Sequence, residues 1–257
     1  MIEVKQISKT FKKNMQSFYA LKEISFILER GSTCGLIGLN GAGKTTLLRL
    51  LSGIFQCTDG EISYDELSIT DFKRQNPYQI AYLSNDTQVY QRLTIREYLQ
   101  FFSRIRQVPK NLFEQKLLYY SQRLKIENEL NTLLENTSTG TRQKAAFLSV
   151  IMNHPTYLFL DEPFANIDIL IAEEMLSILK QLKAEGTAIM ISSHNLYEIE
   201  SISDQILLLE EGNIRLNCQM EDLQNRFPQQ SLKEIILHLM NEQKADDQDE
   251  CNLANSV

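Results

Sequence analysis

Apolar residues recur with two different periods along this chain, and the switches between them outline its elements. Short β-rich runs occur at Ile2 to Ile7 and Ile24 to Leu28, then at Thr33 to Ile37, where the run stops at a glycine-rich segment. A helix is expected from about Gly43, with Leu47, Leu48, Leu50 and Leu51 as its apolar content and Gly53 as its stop. Glu61 to Tyr64 reads as a further short strand. The spacing then becomes helical. Thr94-Ile95-Arg96-Glu97 has the form of a capping box, followed by Ile95, Tyr98, Leu99, Phe102 and Ile105 at helical intervals. Asn111 and Glu114 repeat the device ahead of Leu117 and Leu124, so residues 87–135 read as a helical unit inserted between two parts of an α/β core.

Beyond the insertion, Tyr157-Leu158-Phe159-Leu160 is continuously apolar, a helix is expected around Ala172 to Lys183, and another apolar strand at Thr187 to Ile191. Ile206 to Leu209 and Ile214 flank Glu211-Gly212-Asn213, a hairpin turn by composition. Fully apolar strands that alternate with helices indicate a parallel sheet covered on both faces.

The 257 residues are 43% hydrophobic, enough to bury a substantial core in one large α/β domain or a domain with a subdomain. A net charge of −7 argues against a general nucleic-acid binder, whose affinity rests on clustered Lys and Arg. Much of that charge is local: Glu242, Asp246, Asp247, Asp249 and Glu250 against Lys244 mark an acidic end, and 244–257 is expected to be a disordered tail. Cys34, Cys57, Cys218 and Cys251 show no C-x-x-C spacing, so neither a zinc site nor a disulfide framework is suggested and a reducing compartment fits. No window approaches 18 uninterrupted apolar residues, so the chain is not expected to span a membrane itself.

The chemistry lies where the strands stop. Gly38-Leu39-Asn40-Gly41-Ala42-Gly43-Lys44-Thr45, followed by Thr46, satisfies G-x-x-x-x-G-K-[ST] and sits between a strand and a helix. Glycines let backbone N–H groups close around phosphate oxygens, and the helix N-terminus adds its positive end. Lys44 is expected to reach the β- and γ-phosphates of ATP, and Thr45 to ligate Mg²⁺. Asp161 and Glu162, at the end of the buried Tyr157–Leu160 run, supply the other half of such a site: Asp161 for Mg²⁺ and Glu162 to polarise the attacking water.

The order of phosphate loop, helical insertion, apolar strand ending in Asp-Glu, and downstream Ser-His resembles the ABC ATPase domain over nearly the whole chain. The resemblance implies an α/β fold: a P-loop NTPase core with a mainly parallel sheet, an N-terminal antiparallel β subdomain and an inserted α-helical subdomain. It also implies a division into an ATPase domain at 1–220 and a helical extension at 221–243 before the tail. His194, in Ile191-Ser192-Ser193-His194-Asn195, is similar to the switch histidine that contacts the γ-phosphate and the water-activating Glu. Asp168, in Asn166-Ile167-Asp168, is similar to the D-loop aspartate that couples the two sites of a dimer. Phe11 falls where the family places an aromatic that stacks on adenine, usually Tyr, and Phe keeps the π-face.

Two motifs depart from the family. The signature, commonly Leu-Ser-Gly-Gly-Gln, aligns with Thr137-Ser138-Thr139-Gly140-Thr141. Ser138 and Gly140 correspond to the groups that contact the γ-phosphate of the opposite subunit's ATP, while Thr139 puts a Cβ where the loop approaches phosphate. Asn85 stands where the family has a Gln that touches Mg²⁺ and opens the helical subdomain; Gln88 is the alternative if the loop shifts register.

The absence of long coiled coils, of tandem ATPase domains and of a much larger chain sets aside the chromosome-maintenance, translation-factor and mismatch-repair relatives. The expectation is an ATP-hydrolysing transporter subunit, working as a homodimer or with a second ATPase subunit. It would lie peripherally on the cytoplasmic face of the membrane, bound to a separate transmembrane permease. Ser231 to Leu237 resembles the C-terminal helix of the drug, antibiotic and polysaccharide exporter branch. A regulatory ATPase acting on a cytoplasmic partner is the competing reading.

Overall fold

A computed structural model describes residues 1–13, 16–86 and 90–239. Gln88, the opening of the expected insertion at 87, and the acidic 244–257 segment lie outside the described residues.

The chain opens with a long antiparallel pair, β1 (Ile2–Lys13) and β2 (Gln16–Leu28), then sends β3 (Thr33–Gly38) into a second sheet. After α1 (Lys44–Leu51) it returns through β4 (Asp59–Tyr64) and β5 (Leu67–Ser68), giving an antiparallel sheet in the order β2-β1-β4-β5. Both opening strands run well past the apolar runs seen in the sequence. Bulges between Val4 and Ile7 and again around Lys9 break the two-residue alternation, so the distal pairing, including Phe11 opposite Phe18, carries no periodic signal.

After α2 (Ile69–Gln75), the second sheet gains β6 (Ile80–Leu83). The chain leaves it for α3 (Ile95–Ile105) and α4 (Lys110–Arg123), and α5 (Thr139–Ile151) leads back to β7 (Tyr157–Asp161). The alternation continues with α6 (Ile169–Ala184), β8 (Ala188–Ser192), α7 (Leu196–Ile202), β9 (Gln205–Glu210), β10 (Asn213–Gln219) and α8 (Met220–Arg226). The six strands lie in the order β10-β9-β3-β8-β7-β6, all parallel but β10, which hairpins back from β9 through Glu211 and Gly212, both at positive φ.

Every residue of β7 and of β8 is buried. Alternate side chains explain the uninterrupted apolar runs. Tyr157 and Phe159 join one core with α1 and the antiparallel sheet, whereas Leu158 and Leu160 join the other with α3 to α6. Residues 232–239 form a further helix whose Leu232, Ile235 and Ile236 are buried in this second core.

The capping box at Thr94 is complete: Glu97 N–H donates to Thr94 Oγ1 at 3.2 Å, and Thr94 N–H to Glu97 Oε2 at 2.9 Å. The expected repeat at Asn111 and Glu114 is not a cap. Pro109, with φ of −56°, is the N-cap and starts the helix earlier, so Asn111 lies within its first turn. Glu114 instead pairs with Arg96 of α3 at 2.7 Å. Between α4 and α6, Arg123 pairs with Glu174, tying the inserted helices to the core.

Candidate functional site

The phosphate loop leaves the C-terminal end of β3 and feeds α1, and two of its glycines are there for distinct reasons. Gly43 is the N-cap at φ of +107°, and a Cβ on it would lie 2.7 Å from the Ala20 carbonyl oxygen. Gly41, at φ of +83°, has no heavy atom within 4 Å of that position, so the loop presents bare backbone to an open cleft. Lys44, 9% exposed, folds back onto the loop and donates to the carbonyls of Gly38 at 2.6 Å and Leu39 at 3.2 Å. Burial lowers its pKa, with Glu162 and Asp161 opposing the shift.

The parallel register sets the ends of β3, β7 and β8 side by side, and their last residues meet beneath the loop. Asp161, 1% exposed, accepts from Thr45 Oγ1 at 2.7 Å and from Ser192 Oγ at 2.8 Å, so each carboxylate oxygen is held by a different strand or helix. Glu162 follows at φ of +51°, a left-handed conformation that turns its side chain out of the strand direction. Its N–H donates to Ser192 O and Oγ, both at 3.2 Å, and its Oε2 accepts from His194 N–H at 3.1 Å. His194 Nε2 stands 3.3 Å from Oε1 in an ion-pair contact, and the buried Oε1 accepts no hydrogen bond. Burial pushes the Glu162 carboxyl above the usual glutamate range, and His194 and Lys44 counter it.

A cleft of about 370 Å³ gathers Phe11, Leu39, Asn40, Gly41, Ala42, Gly43, Lys44, Thr45, Thr46, Asn85, Asp161, Glu162 and His194. Gly38 joins this site through the carbonyl that Lys44 holds. Phe11 packs edge-on against Phe55 with centroids 5.6 Å apart and has Lys9 Nζ 5.2 Å from its own. Phe18, Tyr19 and Ala20 of β2 also line the cleft, and the sequence reading did not single them out. Their one signal is pairing across the hairpin, which the bulged β1 conceals. Ser192, which holds both Asp161 and Glu162, was missed for another reason: a serine ending a buried strand carries no motif of its own.

Ser138, Gly140 and Asp168 do not line this cleft. Ser138 is the N-cap of α5 and accepts from Thr141 N–H at 3.0 Å; Asp168 is the N-cap of α6 and accepts from Ile171 N–H at 3.1 Å. A Cβ on Gly140 would lie 2.8 Å from the Asn166 carbonyl oxygen, so the first turn of α5 and the loop before α6 are in close contact.

These residues fit Mg²⁺ and a nucleotide. Mg²⁺ takes few protein ligands and completes its shell with water and phosphate oxygens. Thr45 Oγ1 and the Asp161 carboxylate supply such a minimal oxygen pair, and no group of three or more His, Cys, Asp or Glu able to hold a metal occurs among the described residues.

Residues 21–165, more than half of the chain, match the family model described as ABC transporter. The chain is 26% identical over 238 residues to the ABC transporter ATP-binding protein NatA of Bacillus subtilis, covering 92% of this chain and 97% of that protein. It is 32% identical over 203 residues to the ABC transporter ATP-binding protein MJ1023 of Methanocaldococcus jannaschii, covering 79% and 73%. Its fold matches a solved ATP-binding subunit of an ABC transporter with a TM-score of 0.84 at 27% identity, covering 93% of this chain and 99% of that one. At 20% identity it also shares the fold of the cassette MJ0796, solved as a dimer in a post-hydrolysis state with ADP and Pi, with a TM-score of 0.78 over 86% of this chain and 99% of that one. No helix among the described residues is long and apolar enough to cross a membrane. The chain belongs to the ABC transporter family, as an ATP-binding, ATP-hydrolysing subunit that uses Mg-ATP.

Proposed function

We propose that this subunit drives an exporter, closing over ATP as a head-to-tail dimer and passing that motion to a separate transmembrane permease at the cytoplasmic face of the membrane. In this reading the backbone N–H groups of 39–46 cradle the phosphates, Lys44 neutralises the β- and γ-phosphates, and Phe11 stacks on the base. Thr45, Asp161 and the Asn85 amide would hold Mg²⁺, which would supply positive charge against the phosphate oxygens. Glu162 takes the proton of the attacking water, and His194 fixes the Glu162 carboxylate. Ser138 and Gly140 of one copy close over the ATP of the other, with Asp168 at the seam, and the 87–135 insertion moves against the permease.

The observation that carries this reading is Oε1 of Glu162, buried without a hydrogen-bond donor, 3.3 Å from His194 Nε2 and next in the chain to the Asp161 that accepts from Thr45. A base needs an oxygen that no donor of its own protein already hydrogen-bonds. The burial of Leu232, Ile235 and Ile236 against the core supports the exporter assignment, because the resembling helix is then packed on the subunit. The test is reconstitution in proteoliposomes with a candidate permease of about six membrane spans, sought in the neighbouring reading frames. Mg-ATP turnover is expected to rise severalfold over the isolated subunit, and inside-out vesicles to accumulate solute on adding ATP. Turnover indifferent to the membrane protein would remove the coupling, and ATP-driven loss of preloaded solute from the same inside-out vesicles would reverse the direction.

A further inference from the structure

Gln143, on the second turn of α5, is a carboxamide only 3% exposed. A buried amide destabilises the fold unless its donors are used. Gln143 Nε2 donates to the Pro163 carbonyl at 2.9 Å, and it lies 3.4 Å from the Glu162 carbonyl. These two carbonyls follow directly on the Glu162 side chain, at a residue whose φ of +51° is held only when its surroundings fix it. Ser192 fixes the N–H side of Glu162, and Gln143 fixes the carbonyl side. The same helix grips the loop a second time, since Gly140 lets α5 approach Asn166 to a distance that no Cβ would allow. Helix α5 begins at Ser138, so a single rigid element touches both ends of the 162–166 loop and carries the signature serine at its tip.

We infer that Gln143 is a positioning residue: it sets the backbone of Glu162 and makes α5 move as one body with the 162–166 loop. A displacement of Ser138, when it engages nucleotide bound by another subunit, is then felt at Glu162 of its own chain. This links the site the chain hydrolyses to the site it covers. The inference rests on the assignment of Glu162 as the base.

The test uses the full chain with Gln143→Met, which keeps the length and removes the donor, and Gln143→Asn, which keeps the amide one methylene short. Binding of Mg-ATP, kcat and KM, and the melting temperature are measured for each, alone and with Glu162→Gln. Gln143 touches no nucleotide, so the Kd is expected to stay within about twofold. Misplacement of the base by a fraction of an ångström is expected to lower kcat about tenfold to a hundredfold. Combined with Glu162→Gln, either Gln143 change should add little, because the base it positions is already gone. Unchanged kcat in either folded variant overturns the inference, as does a parallel loss of affinity and kcat, which marks a merely structural side chain. If Gln143→Met melts below the assay temperature, Gln143→Asn decides alone. Full turnover in Glu162→Gln by itself removes the base assignment instead, whatever the Gln143 variants do.

Discussion

The two halves of the nucleotide machinery are built in opposite ways within one chain. In the cleft, polar groups from different elements are bonded to one another and held out of water: Thr45 to Asp161, Ser192 to Asp161, and the Glu162 backbone to Ser192. At the surface of the proposed signature and D-loop residues, the polar groups serve their own helices, Ser138 capping α5 and Asp168 capping α6, and the residues after Asp168 are bare, with Ile169 81% and Leu170 72% exposed. The first half is finished before a ligand arrives, whereas the second is a surface whose chemistry waits for something to cover. Affinity for ATP should therefore reside in the first half, and control of turnover should be shared with the second.

The largest effect that would break this division is on Lys44. If the cleft alone supplies affinity, Lys44→Ala should remove most of it, because a desolvated cation facing phosphate is worth roughly 2–5 kcal/mol on truncation. Isothermal titration is expected to show Mg-ATP binding weakened about a hundredfold or more, with turnover lost. Unchanged affinity would place the binding energy elsewhere and erase the contrast.

Glu162→Gln separates binding from chemistry within the finished half. The amide keeps the shape but cannot take a proton, so kcat should fall about a hundredfold to ten-thousandfold while the Kd holds. The uncleaved γ-phosphate should then keep the second half engaged. Light scattering is expected to show a dimer with ATP and none with ADP; a variant that stays inactive and monomeric with ATP points to a second, different ATPase subunit as the natural partner.

The same carboxylate predicts a pH dependence of smaller size. Burial raises the Glu162 pKa, and in the proposed role the active form is the deprotonated one, so kcat should fall as pH drops through a value above the usual glutamate range. His194 holds that pKa down, so His194→Ala should move the acid limb to higher pH while the residue 194 N–H still holds Oε2. A limb that stays in place or moves to lower pH contradicts the pairing.

The contrast between the halves also explains what could be read from sequence. The cleft was legible because its groups sit at the ends of continuously apolar strands, and a parallel register must bring such ends together. Asp161, Glu162 and His194 could be placed on strand ends before any coordinates. Ser192, Phe18 and Gln143 could not. Ser192 ends its strand without a motif, Phe18 reaches the cleft by pairing through a bulged hairpin, and Gln143 acts on backbone carbonyls twenty residues away. Helix starts were legible where two residues cooperate, as at Thr94 and Glu97, and misread where Pro109 fixed the entry instead of Asn111.

The smallest expected effect tests the unfinished half directly. Thr139 is the first residue of α5, and its Oγ1 accepts from Arg142 at 3.4 Å, so in the free chain it does nothing that glycine could not replace cheaply. Its Cβ matters only when the loop closes on phosphate, where the family places glycine. Thr139→Gly therefore acts in two opposed directions. Added freedom in the unfolded chain should cost less than about 1 kcal/mol, seen as a slight fall in melting temperature. Closer approach of the backbone N–H groups should improve about one hydrogen bond to the γ-phosphate, worth roughly 1 kcal/mol, so turnover should rise up to about fivefold. The Kd of the isolated subunit should not change, because this loop does not line the proposed ATP cleft. A turnover that stays level while the dimer forms normally would show that Thr139 is no obstacle and that the signature surface is already shaped for its partner; a fall would mean that the threonine itself makes a contact on closure.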